Sequence, residues 1–358
     1  MPRLTAACEN EANFSDLCMA TCKVYLPTFR RPQLLVRAVN SLLHQTFDDW
    51  VCELHNDDPN DPSPGELIDR IGERRITVVN HKENLGATRT FNLFFKSIPE
   101  PFFALLEDDN WWEPEFLETM ISAMAACPKV QVAWANMRFW EEQADGTWHD
   151  TSRNIWEVDW TEPRLMDWSD PRQMQGALHS QGAMLARSKF HYLPVPESIN
   201  LAAIEPFRER TFVHPLLFVP QRLANFAVTR TTARPSDAAS WIHAVAILTG
   251  TFLSEIKILP EQLQGLWLSA GKGSRSTHVL FICSVHFASC RRLLRYATLS
   301  DWLWICAYAA RHPLRMYDVL RLFKEKKMEE DFLAHHTRCR QAESRNAAPV
   351  EEVSSAAH

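Results

Sequence analysis

The sequence lacks the glycine-rich motifs that most often mark a nucleotide-binding loop. It has only ten glycines, neither GxGxxG nor a Walker A pattern occurs, and segment 271–274 (Gly-Lys-Gly-Ser) does not have P-loop spacing. No run of about 18 apolar residues is present, which argues against a membrane-spanning helix. The first residues carry no apolar segment of the kind that a signal peptide requires. We therefore expect a cytoplasmic protein.

Paired cysteines and excess positive charge are also missing. The nine cysteines form no CxxC pair, and Cys18 and Cys22, the two closest, have no His or Cys partner at zinc-site spacing. Free thiols in a reducing compartment are the expected state. The formal net charge of −6 provides no general attraction to nucleic acid. With 358 residues, 46% of them hydrophobic, the chain is long enough for a large core and two subdomains.

Apolar segments alternate with amphipathic helical patterns over the first part of the chain. The strands predicted from this pattern are 22–27, 50–55, 76–79, 102–106 and 130–134. Helices are predicted from Pro32 onward, over a stripe from Ala87 to Ile98, and over a stripe from Phe116 to Met124. Such an alternation implies right-handed crossovers, so we expect an α/β fold with a mostly parallel sheet flanked by helices.

Polar clusters follow three of these strands, at residues 28–31, 56–61 and 107–110. Because ligands of an open α/β sheet bind at the carboxyl ends of its strands, the three clusters are expected to line one crevice. The third cluster, Glu107-Asp108-Asp109-Asn110, offers carboxylate oxygens that suit Mg²⁺ or Mn²⁺. The alternative is a solvated strand end whose acids only favour the N-terminus of the next helix.

In this order and spacing, the motifs resemble those of the family 2 glycosyltransferases. The resemblance extends from residue 22 to about residue 125 and is carried by five segments, Val24–Arg31, Ser41–Phe47, Asn56–Asp57, Asn84–Ala87 and Glu107–Asn110. It implies a GT-A-like (Rossmann-like) fold, a nucleotide-diphosphate sugar donor, and transfer with inversion to an acceptor hydroxyl. A divalent metal cofactor, Mn²⁺ or Mg²⁺, is implied as well.

The resemblance also implies roles for individual residues. Asp109 is expected to bind the metal ion directly, and Asp108 to contact the ribose or sugar of the donor. Asp57 is expected to accept a hydrogen bond from the base, which favours a UDP or dTDP donor, and Thr28 to contact the nucleoside. Further donor-site positions are Pro27, Arg30, Asn84 and Arg89. Arg89 would supply the positive charge that the family commonly carries at the position of Phe91.

The second half of the chain is expected to bind the acceptor. Six tryptophans lie between Trp134 and Trp168, around an Asp145-Gly146 turn that predicts a hairpin. These rings would form either a platform for sugars or ordinary core contacts. The segment His179–Arg187 resembles the part of the family that runs under the sugar donor.

A carboxylate between residues 187 and 240 is expected to act as the general base. The acids available there are Glu197, Glu205, Glu209 and Asp237. Glu197 lies in a proline-bounded loop, and Asp237 lies beyond the expected distance. Glu209 lies between Arg208 and Arg210, whose pairing would keep it ionised and lower its basicity. Glu205, which precedes Pro206 in an apolar setting, is therefore the predicted base. The alternative is that it only caps the helix that Pro206 starts.

The sequence divides into five predicted regions. They are a leader (1–20), a nucleotide-sugar-binding half (21–135), an acceptor-binding half (136–235), a helical C-terminal region (236–325) and a disordered tail (326–358). In the helical region, apolar residues from Trp302 to Tyr308 are interspersed with arginines. This pattern indicates either a domain-packing face or peripheral contact with the inner face of a membrane.

Together these features predict a glycosyltransferase of bacterial-type surface polysaccharide or glycoconjugate synthesis. Its acceptor would be a saccharide, a lipid-linked sugar or a protein. Two rival functions stay open. A non-catalytic protein of the same fold would bind nucleotide sugars without transferring them. A nucleotidyltransferase would release pyrophosphate, but that family normally begins with a glycine-rich, basic loop, which Pro27–Arg30 is not.

Overall fold

The structure is a computed structural model that describes most of the chain. The described residues are 20–167, 177, 179–190, 192–199, 201–230, 238–255, 259–270, 275–324, 326 and 329–334. The predicted leader, apart from residue 20, lies outside these ranges, and so does the predicted tail beyond residue 334. Trp168 and Asp237 also lie outside the described residues.

A single sheet of ten strands forms the centre of the fold. The strands are β1 (Cys22–Thr28), β2 (Trp50–Asn56), β3 (Ile76–Asn80), β4 (Phe102–Leu105), β5 (Trp111–Trp112), β6 (Val132–Glu142), β7 (Trp148–Asn154), β8 (Arg164–Met166), β9 (Met184–Arg187) and β10 (Leu216–Val228). Their order is β3-β2-β1-β4-β9-β6-β10-β5, with β7 paired to β6 and β8 paired to β10. The loops that follow β1 and β4 therefore leave the sheet side by side.

The direction of the strands differs between the two halves of the sheet. Strands β1 to β4 are parallel, as the sequence predicts. In the second half, β9 lies antiparallel between β4 and β6, and β5, β7 and β8 also pair in antiparallel fashion. The longest ladder of the second half, between β6 and β10, is parallel. The sheet is thus mixed, with parallel pairs in both halves and antiparallel strands added in the second. A four-residue strand such as β9 carries no sequence signal for its direction.

Ten α-helices surround the sheet or extend beyond it among the described residues. They are α1 (Pro32–Leu43), α2 (Ser63–Ile71), α3 (Gly86–Asn92), α4 (Phe116–Ala126), α5 (Ile204–Glu209), α6 (Ala238–Glu255), α7 (Pro260–Ser269), α8 (Arg275–His286), α9 (Leu299–Arg311) and α10 (Pro313–Leu322). None of those described is both long and apolar enough to cross a membrane.

Two helices differ from the sequence prediction. The stripe from Ala87 to Ile98 was expected to form one helix, but α3 ends at Asn92. Phe94, Phe95 and Ile98 are nevertheless buried, because the turn after α3 places them against the sheet. The spacing of these three residues in the sequence therefore looks like the apolar face of a helix, although they do not belong to one. Helix α2 was not predicted, since only Leu67 and Ile68 among its apolar side chains are buried.

Alternate side chains of the strands enter two different cores. In β1, Val24 and Leu26 pack with α1 and α4 on one face, whereas Tyr25 packs on the other face and stacks on Phe94 at 4.6 Å. The hairpin predicted at Asp145-Gly146 is present and joins β6 to β7. A third apolar cluster combines α6, α7 and α8 with the apolar side of α5. Helix α5 is therefore fixed on one side by the helical region.

Candidate active site

The loop after β4 is a tight turn that carries the four polar residues Glu107 to Asn110. The backbone N–H of Asn110 donates to the carbonyl of Glu107 at 3.0 Å. The buried amide of Asn110 donates to Glu107 Oε2 at 2.7 Å and accepts from the N–H of Ala227 at 3.0 Å. These bonds fasten residues 107–110, called the acidic loop below, to β10.

Asp108 joins the loops that follow β1 and β4. Its Oδ2 accepts from Thr28 Oγ1 at 2.8 Å and from the Phe29 N–H at 3.4 Å, and its Oδ1 lies 3.3 Å from Arg31 Nη1. Burial and the neighbouring charge of Asp109 raise the pKa of Asp108 to about 6, although Arg31 and Thr28 act in the opposite direction. Both oxygens of Asp108 thus already have protein partners.

Asp109 lies between two arginines and an open cavity. Its Oδ2 accepts from Arg31 Nη1 at 2.7 Å, and its backbone carbonyl accepts from Arg37 Nη2 at 2.7 Å. The side chain is 22% exposed and lines a cavity of about 160 Å³. The lining residues of this cavity, called the acidic pocket below, are Glu107, Asp109, Asn110, Glu205, Phe226, Ala227, Val228 and Thr229.

Glu205 reaches the acidic pocket from the first turn of α5. Its Oε1 accepts the backbone N–H of Gln181 at 2.6 Å, in the 3-10 turn that leads into β9. This turn packs closely on the acidic loop, because a Cβ added to Gly182 would lie 2.7 Å from Asn110 Nδ2 and 2.8 Å from Glu107 Oε2. The fold thus brings the predicted base and the predicted metal ligand to one pocket.

Arg208, one turn after Glu205, is fully buried beside the pocket. Its guanidinium donates to the Gln181 side chain and to Asn92 Oδ1, the latter at 3.1 Å, and lies 4.1 Å from the ring of Phe95. Burial lowers the pKa of Arg208 to about 9, although the negative charge of Glu205 raises it. A positive charge is therefore held near Glu205 inside the protein.

The other candidate bases occupy different environments. Glu209 is fully buried and accepts from His179, from the backbone N–H at 2.7 Å and from Nδ1 at 2.5 Å. Burial alone would raise the pKa of Glu209, but the bonds and charge from His179 outweigh it and lower that pKa. His179 is thus the hydrogen-bond partner of Glu209, and the charge of Glu209 also acts on Arg210, whose pKa it raises against the larger lowering by burial. Glu197 is exposed.

Asp57 anchors the start of α3. Its Oδ1 accepts from His81 Nδ1 and from the Leu85 N–H, both at 2.8 Å, and its Oδ2 accepts from the Gly86 N–H at 2.9 Å. Gly86 has a φ of +76°, a conformation that favours glycine. The structure therefore joins Asp57 to the Asn84–Ala87 motif, which the sequence places much later in the chain.

The remaining predicted donor residues lie along the same edge of the sheet. Pro27 is opposite His55 in the β1–β2 register. Arg30, in the left-handed region at φ 55°, pairs through Nε with Asp58 Oδ2 at 2.5 Å. Asn84 is exposed just before α3. Arg89 donates to the carbonyls of Leu85 at 2.9 Å and of Asn84 at 3.3 Å, so it braces this loop from within α3.

Sequence reasoning did not assign roles to Arg31, Arg37 or Asn110. A role for Arg31 could have been predicted, because Arg31 lies in the turn after β1 and belongs to the Val24–Arg31 motif. Asn110 was part of the acidic motif, but its bond to Ala227 joins segments far apart in sequence. Arg37 had no signal, since a lone basic residue on a helix is normally solvated.

The carboxylates fit a metal ion that binds together with a diphosphate. Within the described ranges, no group of three or more His, Cys, Asp or Glu side chains could hold a metal ion by itself. Mg²⁺ is commonly bound by one or two carboxylates, with water and substrate phosphates completing the coordination. Asp109, with Glu107 and Glu205 on the same pocket, meets this requirement.

Comparison with known proteins identifies the domain that contains this site. Residues 23–177 match the family described as glycosyl transferase family 2. The chain carries a family 2 glycosyltransferase domain. The acidic loop and the Asp57 site both lie inside the matched residues, whereas Glu205 lies beyond them.

Two curated relatives of this glycosyltransferase domain come from Escherichia coli. One is "UDP-Glc:alpha-D-GlcNAc-diphosphoundecaprenol beta-1,3-glucosyltransferase WfgD", 25% identical over 101 residues, which cover 28% of this chain and 40% of WfgD. Another is WcaA of strain K12, named as a provisional colanic acid biosynthesis glycosyl transferase. It is 25% identical over 100 residues, covering 28% of this chain and 36% of WcaA. The chain thus matches less than half the length of either relative.

Solved structures extend the likeness over most of the chain. The crystal structure of S. aureus TarS 1-349 in complex with UDP-GlcNAc has a TM-score of 0.57 at 11% identity, covering 90% of this chain and 92% of that one. At this identity the likeness establishes the fold alone. The GT-A-like α/β fold expected for the glycosyltransferase domain is confirmed.

Proposed function

We propose that the chain is a glycosyltransferase that moves a sugar from a nucleotide-diphosphate sugar to an acceptor hydroxyl, with inversion and with a divalent metal ion. The observation that carries this proposal is the acidic pocket, where Asp109 and Glu205 meet at the carboxyl edge of the sheet. Ligands of open α/β sheets bind at this edge. The match to family 2 supports the reaction class.

In the proposed reaction, Glu205 accepts the proton of the acceptor hydroxyl. The acceptor oxygen then forms a bond to the anomeric carbon from the face opposite the diphosphate. The bond from that carbon to the diphosphate oxygen breaks, and the nucleoside diphosphate leaves. Mn²⁺ or Mg²⁺ held at Asp109 would supply positive charge for the departing diphosphate. The bond from the Gln181 N–H fixes Glu205 Oε1, which orients the carboxylate for this proton transfer.

The donor would lie along the loops after β1, β2 and β3. Thr28 and Asp108 are joined by a hydrogen bond and are proposed to contact the nucleoside and its ribose or sugar together. Pro27, Arg30, Asn84 and Arg89 are proposed to complete this wall.

A uridine or thymidine donor is proposed from the acceptor capacity of Asp57. A carboxylate offers about four lone-pair positions, and three here receive bonds from His81, Leu85 and Gly86. One position on Oδ2 is left, which suits the single imide N–H of uracil or thymine better than the two donors of guanine. The names of WfgD and of the TarS complex, which include UDP-Glc and UDP-GlcNAc, agree with this choice.

The acceptor is proposed to be a saccharide, either lipid-linked or protein-linked, in bacterial-type polysaccharide or glycoconjugate synthesis. The relatives support this pathway class through their names, which mention colanic acid and a diphosphoundecaprenol-linked sugar.

Peripheral contact with the inner face of an anionic membrane is proposed for α9 and α10. Leu303 and Leu314 are 63% and 78% exposed, and Arg311 and Arg315 lie exposed beside them. A helix surface that combines exposed apolar and basic side chains favours the interface of an anionic bilayer.

Product analysis with a panel of sugar nucleotides tests the proposed reaction. Wild-type protein with Mn²⁺ is expected to release a nucleoside diphosphate from one of the donors when glycan acceptors are supplied. Release of pyrophosphate would instead identify a nucleotidyltransferase. Thermal stabilisation by nucleoside diphosphates without any turnover would identify a non-catalytic binder, because ligands of the native state raise apparent stability whether or not they react.

A further inference from the structure

A second cavity, of about 590 Å³, adjoins Asp109 on the side of α1. It lies between the N-terminal half of α1 and the β6–β7 hairpin. Its lining residues are Arg30, Arg31, Gln33, Leu34, Arg37, Glu142, Gly146 and Trp148. We call this cavity the arginine cleft. Three of its lining side chains are cationic and one is anionic.

Arg37 is the cation in this cleft that has no carboxylate partner among the residues described. Its guanidinium is held between the rings of Trp111 and Trp148, at 3.8 and 4.1 Å from their centroids. It donates to the backbone carbonyl of Asp109, while its buried Nε has no hydrogen-bond partner in the described part of the chain. Burial lowers the pKa of Arg37 to about 10, against the opposing charges of Asp109 and Glu142. A partly desolvated cation of this kind gains from an anionic ligand.

Arg30 and Arg31 add further donors to the same wall. Each is paired with an acid outside the lining of the cleft, Arg30 with Asp58 and Arg31 with Asp109. A guanidinium carries five N–H donors in a planar fork that matches a phosphate group, so these pairs do not use all of them. Glu142 supplies the single carboxylate of the lining and limits the positive potential.

The arginine cleft and the acidic pocket share walls at two points. Asp109 lines the acidic pocket, and it accepts hydrogen bonds from Arg31 and Arg37 of the cleft, through its carboxylate and its backbone carbonyl respectively. On the other side, Glu142 of the cleft accepts from the Arg230 N–H at 2.8 Å, one residue after Thr229 of the pocket. A ligand with a sugar in the pocket can therefore place a nearby charged group in the cleft.

The position of the cleft assigns it to the acceptor. The donor wall proposed above follows β1, β2 and β3, on one side of β4 in the sheet order. The hairpin that contributes Glu142, Gly146 and Trp148 belongs to β6 and β7, on the other side of β4. The other side of the cleft is the turn after β1, which carries Arg30 of the donor wall, and the first half of α1. A group bound in the cleft therefore lies between the donor wall and the hairpin, where a group carried by the acceptor would lie.

We propose that the arginine cleft binds a phosphate or diphosphate group carried by the acceptor, close to the sugar whose hydroxyl is glycosylated. The acceptor class is thus a glycosyl phosphate or diphosphate, with Arg37 as the principal anion ligand. This inference rests on the proposed function for the identity of the reaction. Binding of the phosphate group is measurable without any transfer.

Calorimetric titration of α-D-glucose 1-phosphate into protein saturated with UDP and Mg²⁺ tests this proposal. Saturation with UDP fills the donor site, so the remaining binding reports the cleft, and titration of glucose gives the contribution of the sugar alone. Wild type is expected to bind the phosphate ester and to bind glucose more weakly. Arg37→Gln is expected to weaken the phosphate ester roughly tenfold or more, the scale of one charged hydrogen-bonding group. UDP affinity, measured separately and without a metal ion, is expected to stay within about twofold of wild type, since the glutamine amide can still donate to the Asp109 carbonyl that Arg37 binds.

Two further variants guard against a trivial result. Arg153→Gln removes an exposed arginine at the other end of β7 that lines neither cavity, and should leave binding unchanged. Glu142→Gln removes the carboxylate of the cleft while keeping an acceptor for the Arg230 N–H, and should tighten the phosphate ester. Structural damage would weaken binding and is not expected to tighten it. The tightening in Glu142→Gln therefore tests the proposal even if Arg37→Gln does not fold.

The outcomes separate this inference from the proposed function. Absence of phosphate-ester binding to UDP-loaded wild type, or equal binding by wild type and Arg37→Gln, would overturn the acceptor-phosphate site. Competition between the phosphate ester and UDP, or a parallel loss of UDP affinity in Arg37→Gln, would assign the cleft to the donor and also overturn it. Failure of wild type to bind UDP at all would count against the proposed function instead.

Discussion

Asp109 and Glu205 line the same pocket at the carboxyl edge of the sheet, although one follows β4 and the other opens α5. Asp109 is held there by Arg31 and Arg37, and Glu205 by the N–H of Gln181. The proposed metal ligand and the proposed base therefore share one pocket, which suits a reaction in which a diphosphate leaves as a hydroxyl attacks.

Asp109→Asn is expected to abolish metal-dependent donor binding while leaving the fold intact. The amide oxygen can still accept from Arg31, but it lacks the negative charge that a hard divalent ion requires. Titration of UDP-sugar with and without Mn²⁺ measures this effect. Asp150→Asn is the matched control, because Asp150 is also a partly exposed aspartate paired with an arginine. Unchanged metal-dependent affinity in Asp109→Asn would remove the ion from this residue.

UDP and dTDP are expected to stabilise the protein more than GDP does. The reason is that Asp57 has one acceptor position left after binding His81, Leu85 and Gly86. Thermal unfolding with equal concentrations of the three nucleotides measures the preference. A greater stabilisation by GDP would contradict the assignment of Asp57 to the base.

Gly182→Ala is expected to lower activity strongly by displacing the acidic loop. The new Cβ would lie 2.7 Å from Asn110 Nδ2 and 2.8 Å from Glu107 Oε2, so either the loop or the turn before β9 must move. Gly65→Ala is the control, since a Cβ there meets nothing within 4 Å. Comparison of transfer rate and melting temperature for the two variants tests this packing. Equal activity in both would mean that the close approach does not position the site.

Leu303→Glu and Leu314→Glu are each expected to reduce binding to vesicles rich in phosphatidylglycerol by roughly tenfold, the scale of one buried apolar side chain. Co-sedimentation measures the effect, with neutral phosphatidylcholine vesicles as the comparison. Leu268→Glu is the control, because Leu268 is 69% exposed but lies on α7. If all three variants bind like wild type, α9 and α10 are not a membrane surface.

The first half of the fold was predictable because its central strands, β1 and β4, are largely buried on both faces. Such strands form continuous apolar runs, as Phe102–Leu105 does, and the polar residues after them mark the strand ends. The antiparallel position of β9 between β4 and β6 was not predictable, because pairing partners distant in sequence leave no local periodicity. The same limit explains the length of α3, whose apolar stripe continues into a turn.

The residues of the candidate site also divide into those that the sequence identified and those whose role depends on contacts in the folded chain. Asp109 stands in a motif, and Glu205 was selected by its distance along the chain and its apolar neighbours. Arg37 and Gly182 act through contacts that only the folded chain creates, with the carbonyl of Asp109 in one case and with Asn110 in the other. Glu209 illustrates the same limit, because its hydrogen bond with His179 joins residues 30 positions apart and leaves no local signal in the sequence.

The effect of Glu205→Gln on sugar transfer and on donor binding, measured in the same samples, tests the central claim most directly. Glutamine keeps an oxygen for the Gln181 N–H but cannot take up a proton, and Glu197→Gln, at an exposed glutamate nearby in sequence, is the control. The account predicts that Glu205→Gln binds UDP and Mn²⁺ like wild type while transfer falls by a factor on the order of 10²–10⁴. Near-normal transfer by this variant would contradict the account.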